Sequence, residues 1–344
     1  MVMTEKKLPA VLVLNTGGTM TGYAADEAST SVYEAGAVTL STLMSSVPTL
    51  IKYAELRAET LAQINSKDIQ FALWLQLAER ITAAQHEQGI SGIVIVHGTD
   101  TLEETAYFLQ LSVTLVKPLV LVGAMRPITA LSSDGPLNLL CAVRLASHPD
   151  ARDCGPLVLI NQQFFAAREA TKMSAHAIDA FSAPGQSPMG RIFDHEIRWL
   201  RRPLPMLASL TLDTDNDDPW PWIEILNNFA GADGRAVHAL VKAGVNGLVI
   251  AGTGAGTLSE SLSAALQQAR LAGVAVVRAS RCLLGPVLCG VGADDYALGT
   301  LPAGDLSPQK ARVLLLVGLR QGLNQTELTH LFERETRTAY DSAH

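Results

Sequence analysis

The chain has 344 residues, and its 33 aspartate and glutamate residues outnumber its 26 lysine and arginine residues to give a net charge of −7. That balance disfavours nucleic acid or an anionic membrane surface as the main partner, because both attract cationic proteins. Apolar residues make up 48% of the chain, enough for a large core and two domains, and no apolar run is long enough to cross a bilayer.

The first predicted element is a buried strand at residues 10–14, which leads directly into the turn sequence TGGTMTG at residues 16–22. The apolar stretch is too short for the hydrophobic region of a secretory signal, so we expect a mature cytoplasmic protein. The cysteines form no CxxC pair and are too few for a disulfide scaffold; they stand at positions 141, 154, 282 and 289. We expect them to be small buried residues.

Continuous runs of valine, isoleucine and leucine predict three further buried strands, at residues 92–97, 118–122 and 155–160. Strands in which polar residues do not alternate with apolar ones are typical of a parallel sheet that is covered on both faces.

Helical patterns lie between these strands. Ser66 is expected to cap a helix whose apolar residues recur every fourth position from Ile69 to Ile81, and two further helices are expected at residues 103–113 and 137–147. The alternation of strand and helix predicts a doubly wound parallel sheet, an α/β fold, in this half of the chain.

The pattern changes near Trp199, where residues 199–221 are rich in proline and aspartate. We interpret this stretch as a linker between two domains. The expected organisation is therefore an N-terminal catalytic α/β domain at residues 1–198, the linker, and a smaller C-terminal α/β domain at residues 222–344. In the second domain, strands are predicted at 245–250 and 274–277, and a helix is predicted to begin at Ser307-Pro308.

The turn after the first strand raises the question of what its paired glycines do. A dinucleotide-binding fingerprint requires glycine at the first, third and sixth positions, but Thr19 occupies the third position counted from Gly17. A P-loop requires lysine after its second glycine, and Tyr23 stands there instead. Two interpretations are left. Gly17 and Gly18 present the Thr19 hydroxyl to the ligand crevice of an open α/β sheet, or the stretch is a plain tight turn.

Polar residues follow a second buried strand in the same way, because Thr99 and Asp100 stand between the strand at 92–97 and the next helix. Ser66 stands at another helix entry. The carboxyl ends of parallel strands share one edge of a sheet, so these groups are expected to face the same crevice as Thr19. Ser66 and Asp100 could instead serve only as helix caps.

A threonine hydroxyl is a poor nucleophile without a base. A partly buried, hydrogen-bonded lysine is a suitable base, and Lys172 is the candidate because small and apolar residues surround it in the sequence. His97 is interpreted as a buried, hydrogen-bonded histidine rather than a catalyst.

Six stretches of the chain resemble motifs of the bacterial L-asparaginase family: TGGTM at 16–20, HGTDTLEETAYF at 97–108, GAMRP at 123–127, SDGPLN at 133–138, ASR at 279–281 and LSPQKAR at 306–312. The similarity extends from about residue 12 to about residue 319, and TGGT together with HGTDT is a highly specific pair. The resemblance implies an active homotetramer of two intimate dimers, with each site completed across a subunit boundary. It implies neither a metal nor a cofactor.

The resemblance also implies roles for individual residues. Thr19 matches the nucleophilic threonine, and Tyr33 matches the lid tyrosine that helps to activate it. Thr99, Lys172 and Asp100 match a second hydroxyl–lysine–carboxylate triad. Ser66 and Asp100 match the residues that hold the amino-acid end of the substrate.

Two positions depart from the family pattern. Ala255 stands where type II members have an asparagine, and Gly292 stands where they have a glutamate. In that family both groups come from the neighbouring subunit and help to hold the ammonium end of the substrate. We therefore expect Asp100 to carry most of that recognition, helped by a carboxylate such as Asp294 or Asp295. The cysteine pair that periplasmic members bridge is also absent, which agrees with a cytoplasmic location.

The expected function is that of a cytoplasmic L-asparaginase, which converts L-asparagine to L-aspartate and ammonia. Within the same class, the alternatives are a glutaminase-asparaginase and an amidase subunit for tRNA-dependent amidation, which the net charge of −7 disfavours. A non-catalytic amino-acid-binding protein on the same scaffold is the alternative from another class. Residues 24–37 contain little apolar material, so we expect this segment to be mobile until substrate binds.

Overall fold

The computed structural model describes residues 8–194, 196–203, 210, 212 and 218–336. The chain divides into two compact units, Met1–Met206 and Leu207–His344. Each unit has its own sheet in which parallel pairing dominates, with helices between the strands. The predicted fold class, a parallel-sheet α/β unit followed by a smaller α/β unit, is confirmed.

The first unit is built on a sheet of eight strands among the described residues. They are β1 (Ala10–Gly17), β2 (Glu55–Ile64), β3 (Gly92–Val96), β4 (Leu119–Val122), β5 (Pro156–Ile160), β6 (Gln163–Ala166), β9 (Gly190–Phe193) and β10 (Glu196–Trp199). Their order in the sheet is β10-β9-β6-β5-β4-β3-β1-β2. A separate two-stranded ribbon pairs β7 (Thr171–Lys172) with β8 (Phe181–Ser182).

The run β5-β4-β3-β1-β2 is parallel, and its order reverses direction between β1 and β3. From β1 the chain goes to β2 on one side, and it then crosses to β3 on the other side. In open α/β sheets such a reversal opens a crevice at the carboxyl ends of the two strands, because the loops that follow them diverge. The loops after β1 and β3 therefore border the place where this fold binds ligands.

The helices of the first unit are α1 (Leu40–Ser45), α2 (Phe71–His86), α3 (Leu102–Ser112) and α4 (Gly135–Ala146). Successive residues of β1 point to opposite faces of the sheet. Val11 and Val13 join a core with Leu43 of α1 and Leu139 of α4, while Leu12 is equally buried on the other face. Burial of both faces explains why the central strands are continuously apolar.

The helix expected to begin at Ser66 begins instead at Phe71, and the prediction that Ser66 caps it is wrong. Residues Ser66–Asp68 form a short 3-10 turn, and the side chain of Asn65 caps that turn by accepting from the Lys67 N–H. Ile69 has extended backbone angles, φ −61° and ψ 131°, so the turn cannot continue into the helix. The Ser66 hydroxyl is used elsewhere, as described below.

The strands beyond β5 are antiparallel, so the prediction of a parallel sheet holds only for the central part. The cause lies in the connection between β5 and β6, which consists of Asn161 and Gln162 alone. Both residues have positive φ angles, 47° and 61°. Two such residues form a tight hairpin turn, and a hairpin makes the following strand antiparallel.

The second unit has a parallel four-stranded sheet in the order β11-β12-β13-β14 among its described residues. The strands are β11 (Ile223–Asn227), β12 (Gly247–Gly252), β13 (Ala275–Ser280) and β14 (Leu301–Pro302). The helices are α5 (Arg235–Ala243), α6 (Glu260–Leu271), α7 (Asp295–Leu298), α8 (Pro308–Arg320) and α9 (Gln325–Thr336). The predicted start of α8 is confirmed, because the Ser307 hydroxyl accepts from the Lys310 N–H and Pro308 occupies the first turn.

The predicted division at 1–198, 199–221 and 222–344 stays a prediction. Trp199 belongs to β10 of the first sheet, so that sheet continues one residue past the expected boundary. Much of the expected linker, residues 204–209, 211 and 213–217, lies outside the described residues.

All four cysteines are free thiols. Cys141 and Cys154 are buried as expected, and burial raises the pKa of the Cys141 thiol to about 11. The expectation of burial is wrong for Cys282 and Cys289, which are exposed on the loop after β13.

In the part of the chain that the structure describes, no helix has both the length and the apolar composition needed to traverse a membrane.

Candidate active site

Gly17 and Gly18, the glycines after β1, are required by space as well as by backbone conformation. Their φ angles are 102° and 87°, values that L side chains rarely adopt. A Cβ atom on Gly17 would lie 2.5 Å from the main chain of Ile64, and one on Gly18 would lie 2.3 Å from the Cα atom of Gly98. The paired glycines therefore let the loop after β1 pass directly against the loop after β3.

Thr19 begins a short 3-10 turn immediately after these glycines, and it is only 5% exposed. Its Oγ1 atom lies 2.6 Å from the hydroxyl oxygen of Tyr33, and either group can donate. A side chain on Gly22 would meet the ring of Tyr33 at 2.8 Å, so this third glycine makes room for the tyrosine. The structure thus brings together Thr19 and Tyr33, which the family resemblance matches to a nucleophile and its activator.

Tyr33 lies in the segment of residues 24–37, which is fixed mainly by main-chain hydrogen bonds. At its base Tyr23 and Glu34 exchange N–H···O bonds of 2.9 and 2.8 Å. Thr129 accepts from the Ala24 N–H at 2.8 Å. The side chain of Val32 is 80% exposed at the tip. Sparse apolar anchoring agrees with a movable segment, and its mobility stays a prediction.

Lys172 meets the loop after β3, although 73 positions separate it from Thr99. Its Nζ atom donates to Thr99 Oγ1 at 2.8 Å and to Asp100 Oδ1 at 2.7 Å. The lysine side chain is 18% exposed, whereas that of Asp100 is 56% exposed. The ammonium group is therefore held on the protein side of the pair, and the carboxylate faces solvent.

Ser66 joins the same loop through two hydrogen bonds. Its Oγ atom accepts from the Asp100 N–H at 3.2 Å, and Thr101 Oγ1 donates to its carbonyl oxygen at 2.8 Å. A Cβ atom on Gly98 would lie 2.6 Å from Ser66 Oγ, so glycine is needed there as well. Since no described residue accepts the Ser66 O–H, this donor is available to a ligand.

His97 is fully buried directly before this loop, and burial lowers its pKa to about 4. Its Nδ1 atom lies 2.6 Å from the carbonyl oxygen of Gly98. A carbonyl can only accept, so the proton of the neutral ring is on Nδ1. Nε2 has no hydrogen-bond partner among the described residues, so only half of the expected hydrogen bonding is present.

Two groups that sequence reasoning did not single out support the site. Glu103 is 7% exposed, and its Oε2 atom accepts from the Lys172 N–H at 2.8 Å. Asp134 accepts from the N–H groups of Met125 and Arg126 at 2.9 to 3.2 Å and thereby fixes the loop after β4. Acidic residues in a first helical turn are common, so nothing in the sequence marked Glu103.

In the second unit, Arg278 and Asp295 form a buried pair. Asp295 accepts from Arg278 Nε and Nη2 at 2.7 and 2.5 Å, from Thr300 Oγ1 at 2.6 Å and from the Gly290 N–H at 2.9 Å. Burial raises the pKa of Asp295, but these hydrogen bonds outweigh it and hold the pKa below its usual value. Both oxygens are engaged, so Asp295 cannot be the expected ammonium ligand.

The other residues considered for ammonium recognition have structural constraints of their own. The Asp294 side chain caps α7 by accepting from the Ala297 N–H at 3.0 Å. Gly292 has a φ angle of 80°, and a Cβ atom there would lie 3.0 Å from the Thr257 methyl carbon. Ala255 is exposed, and its carbonyl oxygen accepts from Arg278 at 3.1 Å.

Comparison with protein families matches residues 10–205 to "Asparaginase, N-terminal" and residues 222–332 to "Glutaminase/Asparaginase C-terminal domain". The chain belongs to the asparaginase family. Within that family it is similar to the glutaminase-asparaginase of Pseudomonas fluorescens biotype A, with 38% identity over 336 residues, which cover 96% of this chain and 92% of the relative. It is equally similar to L-asparaginase 2 of Escherichia coli K12, with 38% identity over 328 residues and coverage of 95% and 93%.

A solved member of the asparaginase family has the same fold. It is the probable cytoplasmic L-asparaginase from Campylobacter jejuni, which matches with a TM-score of 0.89 and 36% identity and covers 95% of this chain and 99% of that chain. The matches to all three proteins span both units of this chain. The candidate site in the first unit consists of two hydroxyl groups on touching loops, Thr19 and Thr99, each with a hydrogen-bonding partner supplied by a distant segment.

Proposed function

We propose that this member of the asparaginase family hydrolyses the side-chain amide of L-asparagine to L-aspartate and ammonia, with Thr19 as the nucleophile. The observation that carries the proposal is the placement of Lys172 Nζ against both Thr99 and Asp100. That contact creates a proton relay on the loop that touches the Thr19 loop. Such a relay can take up the proton of an attacking water, as hydrolysis requires.

In the proposed first step, Thr19 Oγ1 attacks the amide carbon of the substrate while the Tyr33 hydroxyl accepts the threonine proton and passes its own proton to the amide nitrogen. Their 2.6 Å separation is within the range for proton transfer. Main-chain N–H groups of the Gly98-Thr99 loop stabilise the negative charge that develops on the amide oxygen. The carbon–nitrogen bond then breaks, and the nitrogen leaves with the transferred proton as ammonia.

In the proposed second step, water attacks the resulting ester. The Thr99–Lys172–Asp100 relay accepts a proton from that water. Cleavage of the ester returns the proton to Thr19 and releases aspartate. Ser66 and Asp100 hold the amino-acid end of the substrate, and no metal or cofactor takes part.

The relatives do not decide between asparagine and glutamine, because the glutaminase-asparaginase and the L-asparaginase are equally identical to this chain. Glutamine is longer by one methylene. A pocket fitted to asparagine discriminates against it by about 10- to 200-fold in kcat/KM, and we propose a preference of that size.

We also propose that the protein is a cytoplasmic homotetramer of intimate dimers. Its four free thiols, two of them exposed, suit a reducing compartment. Exposed apolar side chains on the loop that carries these two thiols support subunit contacts; they are Leu283, Leu284, Leu288 and Val291. Light scattering on the purified protein tests the oligomeric state.

Ammonia release from asparagine and from glutamine by the purified chain tests the function. We expect turnover of asparagine with the preference given above. Comparable kcat/KM values for the two amino acids would favour the dual glutaminase-asparaginase. Saturable asparagine binding by calorimetry without any ammonia would instead indicate the non-catalytic binding protein.

A further inference from the structure

Glu103 is a buried carboxylate that the proposed chemistry does not use. It stands in the first turn of α3, a few residues after Thr99 and Asp100, and only 7% of it is exposed. Carboxylates are almost never buried to this extent unless they have a partner. Among the described residues, its hydrogen-bond partner is the main-chain N–H of Lys172, which donates to Oε2 at 2.8 Å.

The segment that carries Lys172 gains an anchor from this contact. Strand β7 has only two residues, and it pairs only with the two-residue strand β8 in a ribbon separate from the main sheet. The next residue, Met173, adds one bond by donating to the Ala180 carbonyl oxygen at 2.6 Å. A two-stranded ribbon is marginally stable by itself. The Glu103 contact adds a bond that joins the main chain of Lys172 to the first turn of α3.

The short stretch from Thr99 to Glu103 holds Lys172 at both ends. Its side-chain nitrogen donates to Thr99 and Asp100 at 2.8 and 2.7 Å, and its main-chain nitrogen donates to Glu103 at 2.8 Å. Lysine has a flexible four-carbon side chain. The Glu103 contact limits the main-chain positions from which that terminal nitrogen can reach both acceptors.

We propose that Glu103 is a positioning residue that fixes the main chain of Lys172, so that its Nζ atom stays at Thr99 and Asp100. The kinetic consequence rests on the proposed asparaginase function. The alternative is that Glu103 only stabilises the start of α3 through its negative charge, as acidic residues in a first turn do. The positioning role depends on how far the carboxylate oxygen of Glu103 reaches. The alternative role depends only on the negative charge of Glu103.

Three variants separate them. E103Q keeps an oxygen acceptor at full reach without the charge, and E103D keeps the charge but retracts the acceptor by one methylene. E104A removes a charge from the same helical turn without touching the Lys172 contact, and it serves as the matched control. A misplacement of about 1 Å can reduce turnover about 100-fold. We expect E103D to lose about 100-fold in kcat, with KM within about threefold of wild type, and E103Q and E104A to retain kcat within about threefold.

A second measurement does not depend on activity. Labelling of lysine amines with a succinimidyl ester, quantified by mass spectrometry, reports how tightly Lys172 is held. Lys67, whose side chain is 64% exposed, is the internal reference. We expect Lys172 to label at least fivefold faster, relative to Lys67, in E103D than in the wild type, and at the wild-type rate in E103Q. The labelling tests the proposal even if the wild type releases no ammonia, an outcome that would refute the proposed function alone.

The opposite ranking, in which E103D behaves as wild type while E103Q loses turnover, would overturn the proposal in favour of the charge. Unchanged kcat and unchanged labelling in E103D would also overturn it. If E103D does not fold, E103Q decides the matter, because loss of kcat or faster Lys172 labelling in that variant contradicts a role based on reach.

Discussion

The touching glycine loops provide a test of how the active site is assembled, through the substitution Gly18→Ala. A Cβ atom on Gly18 would lie 2.3 Å from the Cα atom of Gly98, whereas carbon atoms approach comfortably at about 3.5 Å. One of the two loops must therefore move by roughly 1 Å. Gly18 also has φ 87° and ψ −168°, a region that glycine alone occupies readily, at a cost of about 1–3 kcal/mol for alanine.

Overpacking adds about 1–3 kcal/mol, so the variant should lose about 2–6 kcal/mol of unfolding free energy. Because the displaced loops carry Thr19 and Thr99, the folded fraction should also lose about 100-fold in kcat. Gly89→Ala is the matched control in the same unit. Its φ of 86° is nearly identical, but its Cβ atom would meet nothing closer than Arg57 Nη2 at 3.5 Å.

Urea unfolding and ammonia release, measured on Gly18→Ala, Gly89→Ala and the wild type, give both quantities. Gly89→Ala should lose about 1–2 kcal/mol for its positive φ alone and keep the wild-type kcat. Equal stability of the two variants, together with wild-type turnover by Gly18→Ala, would refute the claim that the Gly18–Gly98 approach positions the site.

Three further predictions concern stability and substrate binding. Arg278→Met leaves the buried Asp295 carboxylate without its cationic partner and should lower the free energy of unfolding, measured in urea, by about 3–5 kcal/mol. The double variant Arg278→Met/Asp295→Leu should be less destabilised than this single variant. His97 has a pKa of about 4 when folded and about 6.5 when unfolded, so the unfolded chain binds the proton first and stability should fall by about 3 kcal/mol from pH 6.5 to pH 4. The variant His97→Gln should lack this dependence of stability on pH. If its stability fell as steeply from pH 6.5 to pH 4 as that of the wild type, the assignment of the effect to His97 would be wrong. In the proposed homotetramer, Ala255→Asn restores the asparagine that type II members of the family contribute from the neighbouring subunit. It should lower KM for asparagine by one to two powers of ten, as expected for a charge-assisted hydrogen bond of about 1.5–3 kcal/mol. An unchanged KM would show that the ammonium is already paired, whereas Gly292→Glu tests this poorly because φ is 80° there.

The central part of the fold could be predicted because its signals are local. Continuous apolar runs marked β3, β4 and β5, and serine followed by proline marked the start of α8. The antiparallel strands that begin with β6 were missed, because that change of direction depends on the positive φ angles of Asn161 and Gln162. Side-chain composition alone does not reveal such a turn.

The candidate site shows where local signals end. Thr19 could be placed at the end of β1 because two glycines precede it, and Lys172 was named as a candidate base. The Lys172–Thr99 contact joins residues 73 positions apart and follows from the tertiary structure. Ser66 and Asn65 are both good helix caps by residue type, and the Asp100 N–H determines that Ser66 serves the loop after β3 instead. The catalytic roles of all these residues stay predictions.

The most direct test of the central claim is ammonia release from asparagine by Thr19→Ala, compared with the wild type at matched folded concentration. Alanine fits the 3-10 turn that Thr19 begins, so the variant should unfold at nearly the wild-type urea concentration. We predict that asparagine still binds to Thr19→Ala and that turnover falls below detection, because the attacking oxygen is gone. Retention of most of the wild-type turnover by folded Thr19→Ala would contradict it.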